Sequence, residues 1–352
     1  MTGRVADLFA PARISNSGVV ARDEAWEPGF GPRMAPGRSN RMPRTRPWRL
    51  TKLQQLWRLV RESHTAPLQG STQRPPVLAA GESAVTFIGH SSFFLQLAGK
   101  NILVDPVFAM RLILLRRQRR PGLRVRDLPP IDAVLLSHAH MDHLNRPSLR
   151  AVAREMRRRG LPAPVAIVPP GVSDLVRDLG FREVRELGWW QQTSLDGVHI
   201  TATPAKHWGA RLFKDTQRGF GGYVLAAPGA PTVYHSGDTA YANIFREIGD
   251  RLHPEIALLP IGAYFPDSYR AVHTSPEEAL QICEDVGARV MVPMHYNTFR
   301  LGREPMTEPL PRLLASAARA GLRDRVHPLA EGETLLLASA GETAEVRQAV
   351  AV

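Results

Sequence analysis

The chain has almost no cysteine. Cys283 is the only one in 352 residues, which excludes a disulfide framework and a thiolate metal site, so any zinc must be held by His, Asp or Glu. Lysine is nearly as scarce, standing only at 52, 100, 206 and 214, and the excess of 45 basic over 33 acidic residues (+12) is therefore an arginine excess. Guanidinium forks suit phosphate and carboxylate groups. An Arg-, Ala- and Pro-rich composition also follows from genomic base content, and composition does not choose between the two. Also missing is any apolar run of about 18 residues, which argues against a membrane-spanning helix. The N-terminus, with Arg4, Asp7 and Arg13, has no uninterrupted apolar core leading to a small-residue cleavage site, which argues against a secretory signal. The expectation is a cytoplasmic protein.

What is present divides unevenly. Residues 1–49 form an Arg- and Pro-rich arm with little apolar periodicity, expected to be flexible. Residues 50–82 read as a lead-in helix, with Leu53, Leu56, Trp57 and Val60 at helical spacing, followed by a linker from Pro67 to Pro76. The main domain is expected over 83–340, with a tail at 341–352. Within it, strand-like runs occur at 84–88, 92–97, 101–105, 131–137, 165–169, 198–203, 222–226, 232–236, 256–260, 290–295 and 334–338. Helices are expected at 147–159, 172–179, 276–286 and 309–320, with Asn145 as a cap and Ser275 to Glu278 as a capping box. Strands arriving in two runs with helices between imply two packed sheets with helices outside.

Chemistry concentrates at one strand end. The apolar run Ile131–Ser137 delivers His138-Ala-His140-Met-Asp142-His143 into a loop just before a helix. His138 and His140, two apart, project to one side of an extended loop, while Asp142 and His143 sit where the chain turns and can reach a second position. Four ligands on one loop anchor a metal but leave its coordination incomplete. Three further strand ends carry candidates: His207 after 198–203, Asp238 in Ser236-Gly-Asp-Thr239, and His295 closing Val290–His295. A carboxylate after a glycine at a strand end can bridge two cations, and imidazoles can complete each.

The ordered set His-x-His-x-Asp-His, His207, Asp238 and His295 resembles the metallo-β-lactamase superfamily over about 83–340. Leu103-Val-Asp-Pro-Val-Phe108, Lys206-His-Trp208, Gly237-Asp-Thr239, Pro260-Ile-Gly-Ala-Tyr264 and Pro276-Glu-Glu-Ala279 are similar to the branch containing N-acyl-phosphatidylethanolamine-hydrolysing phospholipase D. The resemblance implies an α/β fold, a four-layer αββα sandwich of two mixed β-sheets flanked by helices. It also implies two zinc ions, one on His138, His140 and His207, the other on Asp142, His143 and His295, with Asp238 bridging and a shared hydroxide as nucleophile. Nitrogen and oxygen ligands accept manganese or iron as well. Asp142 can act both as ligand and as proton acceptor. His273 would meet the substrate phosphate or leaving group at the rim, its alternative being a residue that merely leads into a helix. His90, in Ile88-Gly-His-Ser-Ser92, fits either an outer contact to the metal ligands or a turn. His64, His199, His235, His253 and His327 are read as structural.

The substrate rests on weaker signals. Met110 to Arg126 combines a greasy run with arginines, and it either lies on an anionic membrane surface as a peripheral contact or is a loop whose apolar part packs on the core. The expected function is a phosphodiesterase of phospholipase D type acting on N-acyl-phosphatidylethanolamine or a related phospholipid. The alternative is a lactonase or phosphodiesterase on a small soluble substrate. A nuclease is disfavoured because the arginines lack interleaved aromatics for base stacking. A non-catalytic scaffold is opposed by the complete ligand set.

Overall fold

Strands buried on both faces give near-continuous apolar runs, and that is how the centre of this chain is built. The computed structural model describes residues 48–211, 215–337 and 347–348. The expected arm lies outside these apart from its last two residues, and the expected tail apart from Arg347–Gln348. After α1 (Trp48–Thr65) come β1 (Ser83–Gly89), β2 (Ser92–Leu97), β3 (Lys100–Val104), a small hairpin of β4 (Arg111–Leu112) and β5 (Leu115–Arg116), β6 (Ala133–Leu135), α2 (Arg146–Arg158), β7 (Val165–Val168) and β8 (Glu183–Glu186). The second run has β9 (Gln192–Leu195), β10 (Val198–Thr203), β11 (Gly222–Ala227), β12 (Ala230–His235), α3 (Ile244–Leu252), β13 (Ile256–Pro260), α4 (Pro276–Asp285), β14 (Val290–Met294) and α5 (Pro309–Arg319). β15 (Thr334–Leu337) and β16 (Arg347–Gln348) then return to the first sheet.

Among the described residues the first sheet runs β16-β15-β1-β2-β3-β6-β7-β8 and the second β14-β13-β12-β11-β10-β9. Both are mixed: β3, β6, β7 and β8 are parallel neighbours, as are β12, β13 and β14, and the rest pair antiparallel. The period-two alternation assigns each side chain to a layer. Phe93, Leu95, Ile102, Val104, Ala133 and Leu135 face the second sheet and meet Leu258, Val292 and Met294 from it. Phe94, Leu103, Val134 and Leu136 turn the other way onto Leu149, Val152 and Met156 of α2. Ala257, Leu259 and Met291 do the same on the far side, under α3, α4 and α5. The result is the expected αββα sandwich of two mixed sheets.

Helix ends follow their local chemistry. Asn145 accepts the Ser148 amide at 3.0 Å to start α2, and Ser275 and Glu278 form the full capping box of α4. The expected helix over 172–179 is instead two short 3₁₀ turns, Ser173–Leu175 and Arg177–Leu179, ended by left-handed Gly180. Helix α3 and strands β8 and β9 lie beyond the expected elements. The two strands are polar edges without apolar alternation. Helix α3 has nine residues, no side-chain cap and an internal Gly249, which is needed because a Cβ there would strike the Asp285 and Val286 backbone of α4 at 2.8–2.9 Å.

Candidate metal centre

Six strands release the chain on the same side, at their C-terminal ends: β1 before His90, β3 before Asp105, β6 before His138, β10 before His207, β12 before Asp238 and β14 before His295. Hydrogen-bond ladders hold these strands in register, so residues 200 positions apart in sequence converge. Of the residues that directly follow these six strands, three have left-handed backbones without being glycine: His90 (φ 62°), Asp105 (φ 44°) and His295 (φ 60°). Such conformations cost on the order of 1 kcal/mol each and cluster where side-chain aim matters more than local comfort.

The side chains of His138, His140 and His207 meet. His138 Nε2 lies 2.8 Å and His207 Nε2 3.2 Å from His140 Nδ1. Nitrogens about 2.0–2.1 Å from a tetrahedral zinc stand roughly 3.3 Å apart, so this trio fits a cation without large rearrangement. The outward nitrogens are engaged. His138 Nδ1–H donates to Ser137 Oγ at 2.9 Å, and His207 Nδ1–H donates to the Val272 carbonyl at 2.8 Å, which turns both Nε2 atoms inward. Burial pushes His138 and His207 well below the usual imidazole value and His140 down to about 4, so all three are neutral, the form in which an imidazole ligates.

Asp142, His143 and His295 form a second group with His90. Asp142 Oδ2 lies 3.6 Å from His143 Nε2 and 3.5 Å from His295 Nε2. Asp238 stands between the groups: its Oδ2 is 3.2 Å from His143 Nε2, 3.1 Å from His295 Nε2 and 4.0 Å from His207 Nε2. Burial alone would lower His143 and His295. The carboxylates of Asp238 and Asp142 override it, holding His143, which also has Asp105, well above the usual range and pushing His295 up to about 9. Conversely, burial would raise Asp142 and Asp238, but the imidazoles around them, His143 foremost, hold both well below the ordinary carboxylate value. Asp238 Oδ1 and His295 Nδ1 are buried without a hydrogen-bond partner. Buried polar atoms are normally satisfied, and this donor set of imidazoles and carboxylates fits hard or borderline divalent cations.

The structure thus brings together every candidate from the sequence. His273 joins them: its Nε2 is 3.6 Å from Asp238 Oδ2 and its ring centroid 5.2 Å from that of His207. Two further residues of the centre, Asp105 and Ser137, were not singled out. Asp105, fully buried, takes His143 Nδ1–H at 2.7 Å and the Ser137 amide and hydroxyl at 2.7 and 2.5 Å, so one carboxylate aims His143 directly and His138 through Ser137. A signal existed, since Asp105 ends a strand in Leu103-Val-Asp-Pro, but no spacing rule links it to a ligand 38 residues on. His235 accepts the Gly237 amide on Nδ1 at 3.1 Å and donates from Nε2 to the Ser91 carbonyl at 3.0 Å, tying the turn before Asp238 to the turn after His90.

An aromatic rim opens from the cluster. The Trp208 ring is 4.5 Å from His140 and 4.4 Å from His207, and Phe220 lies 6.5 Å from His207 and 5.6 Å from Trp189. The 110–126 segment divides between exposed and packed parts. Met110, Ile113 and Leu114 are exposed on the hairpin, whereas Leu112 packs with Val107 and Phe299, whose ring meets that of His90 edge-on at 5.3 Å. Arg117 is fully buried, and Arg119 is paired with Glu331 at 2.6 Å, so neither is free for a headgroup.

Residues 100–296 match a family described as a beta-lactamase superfamily domain. An uncharacterized protein of Mycobacterium tuberculosis is 34% identical over 280 residues, covering 74% of this chain and 72% of that one. The mitochondrial N-acyl-phosphatidylethanolamine-hydrolyzing phospholipase D of Saccharomyces cerevisiae is 33% identical over 262 residues, 71% of this chain and 55% of the yeast protein. Among solved structures, a metallo hydrolase of the archaeon Ignicoccus hospitalis superposes with a TM-score of 0.56 at 27% identity, over 72% of this chain and 98% of that one.

Proposed function

Since the chain belongs to the metallo-β-lactamase superfamily and is a metal-dependent hydrolase, we propose that it is a two-zinc phosphodiesterase of phospholipase D type, acting on N-acyl-phosphatidylethanolamine or a close relative. The observation that carries the two-cation reading is the pairing of donor sets, His138, His140 and His207 on one side and Asp142, His143 and His295 on the other, with Asp238 within 4.0 Å of both. When bound, two divalent cations supply Lewis acidity, lowering the pKa of water and stabilising charge on a phosphoryl oxygen. The residues do the rest. Asp142, held ionised, accepts the proton of the attacking water. His273, partly open to solvent, meets the phosphoryl group or the departing alcohol. Asp105 and Ser137 keep His143 and His138 in their ligating orientations. Water oxygen bonds to phosphorus as its proton passes to Asp142, the bond from phosphorus to the amide alcohol oxygen breaks, and that oxygen leaves as the alcohol by taking the proton Asp142 received.

The phospholipid reading is supported by the yeast relative's activity, by the aromatic rim of Trp208, Phe220 and Trp189, and by the apolar hairpin tip of Met110, Ile113 and Leu114. That tip, with exposed Arg111 beside it, suits peripheral contact with an anionic bilayer. Among the described residues no helix is long and apolar enough to cross a membrane. We place the hydrolase domain at 83–340, working at the cytoplasmic surface. A small soluble substrate is favoured by one observation, that Arg117 and Arg119 are already committed inside the protein. The test is a hydrolysis screen on chelator-stripped and zinc-reloaded protein with N-acyl phospholipids in vesicles, ordinary phospholipids, lactones and cyclic nucleotides. Zinc-dependent release of phosphatidic acid is expected. Turnover confined to lactones or cyclic nucleotides would replace the phospholipid reading with the soluble one.

A further inference from the structure

We propose that His90 is a positioning residue for the second cation position: its Nε2–H fixes the Asp142 carboxylate while its carbonyl receives the His295 amide, so one turn sets two of that position's ligands. This rests on the two-cation reading above. His90 Nε2 lies 2.9 Å from Asp142 Oδ2, and the His295 amide donates to the His90 carbonyl at 2.9 Å.

The ring's proton can be placed by elimination. His90 is buried, and its Nδ1 has no partner. With the proton on Nδ1, a buried N–H would be orphaned and the Nε2 lone pair would face a carboxylate oxygen, two penalties at once. With the proton on Nε2, the short contact is a charge-assisted hydrogen bond and only a lone pair is left unmatched.

The surroundings hold the turn against its own strain. The left-handed backbone of His90 is fixed by its amide, which donates to Thr298 Oγ1 at 2.9 Å, and by the Phe299 ring packed edge-on against the imidazole. Two residues earlier, the Ile88 carbonyl accepts from Arg117 Nη2 at 3.2 Å, and Gly89 lies so close to that guanidinium that a Cβ would collide with it. Asp142 leans on His90 while His143 leans on Asp105, so each has its own orienting partner outside the ligand set.

The test counts metal on the full-length protein. Protein stripped with chelator is titrated with Zn²⁺ against a chromophoric competitor. Wild type is expected to take two equivalents. His90→Leu is expected to weaken one of them by about 10–100-fold, the usual effect of removing such an orienting partner, leaving the other unchanged. His90→Gln, which can return an amide N–H to a similar place, is expected to recover most of the loss. Should His90→Leu not fold, Thr298→Val takes its place and is expected to weaken the same equivalent by a smaller factor. Both equivalents weakened together, or a loss that glutamine does not restore, overturns positioning in favour of a structural or directly ligating role. Two equivalents with unchanged affinity in His90→Leu and Thr298→Val overturns the proposal while sparing the two-cation reading. Fewer than two equivalents in wild type overturns both.

Discussion

At the scale of single residues, the two halves of the centre differ in how a cation would meet them. His138, His140 and His207 are neutral through burial and can bind without releasing a proton. His143 and His295 hold protons because Asp238 and Asp142 stand against them, so a second cation must displace those protons. The same pairing makes the metal-free protein sensitive to pH. A histidine whose folded value is raised contributes stability that is complete below its unfolded value, near 6.5, and disappears as pH climbs through about 9 for His295. Thermal melts of chelator-stripped protein should therefore show a melting temperature that falls across that interval, and zinc-loaded protein should not share the fall. A flat profile for the stripped protein would contradict the ion pairs around Asp238.

At the scale of elements, the β4–β5 hairpin is joined to the centre by Arg117. The guanidinium donates to three backbone carbonyls, Val107 at 2.7 Å, Ile88 at 3.2 Å and Arg119 at 2.7 Å, and its Cζ lies 5.3 Å from the Phe299 ring centre. Burial pushes it down to about 10, so it stays charged at neutral pH. Val107 follows Asp105 by two residues and Ile88 precedes His90 by two, so one side chain braces both turns that carry the orienting groups. Arg117→Met fills much of the volume but strands the Val107 and Arg119 carbonyls, while the Ile88 carbonyl keeps the Gly122 amide at 2.8 Å, each unsatisfied buried group costing about 1–3 kcal/mol. A loss of about 3 kcal/mol in unfolding free energy is expected from denaturant titration, relaxation and the apolar replacement offsetting part of the sum. A change below about 1 kcal/mol would show that the hairpin is not braced this way.

At the scale of the whole molecule, Cys283 reports on cooperativity. It lies on α4 inside the layer that covers the second sheet, 1% exposed, and burial pushes its thiol up to about 11. A thiolate is the reactive form, so a disulfide reagent should modify native protein negligibly at neutral pH, with labelling rising in step with global unfolding as denaturant is added. Zinc should slow it further, because a cation bound across both sheets stabilises only the folded state. Fast labelling without denaturant would mean that α4 opens on its own.

The sequence by itself determined the layers and the ligand types. Strands such as Ile256–Pro260 and Val290–Met294 are apolar on both faces, and the run His138–His143 with its strand-end partners is legible as metal chemistry because imidazole and carboxylate at that density have few other uses. Short elements were the least legible: β8 and β9 are polar edges that owe their form to neighbours, whereas α3 carries Phe245, Ile248 and Leu252 at helical spacing but has no side-chain cap to mark its start. Only the tertiary structure decided which groups aim the ligands. Asp105 behind His143, His90 beside Asp142 and His235 between Ser91 and Gly237 are contacts between strand ends distant in the chain. A hydrogen bond is directional over a few tenths of an ångström, and sequence spacing carries no such information once two sheets bring 200 residues of separation to contact.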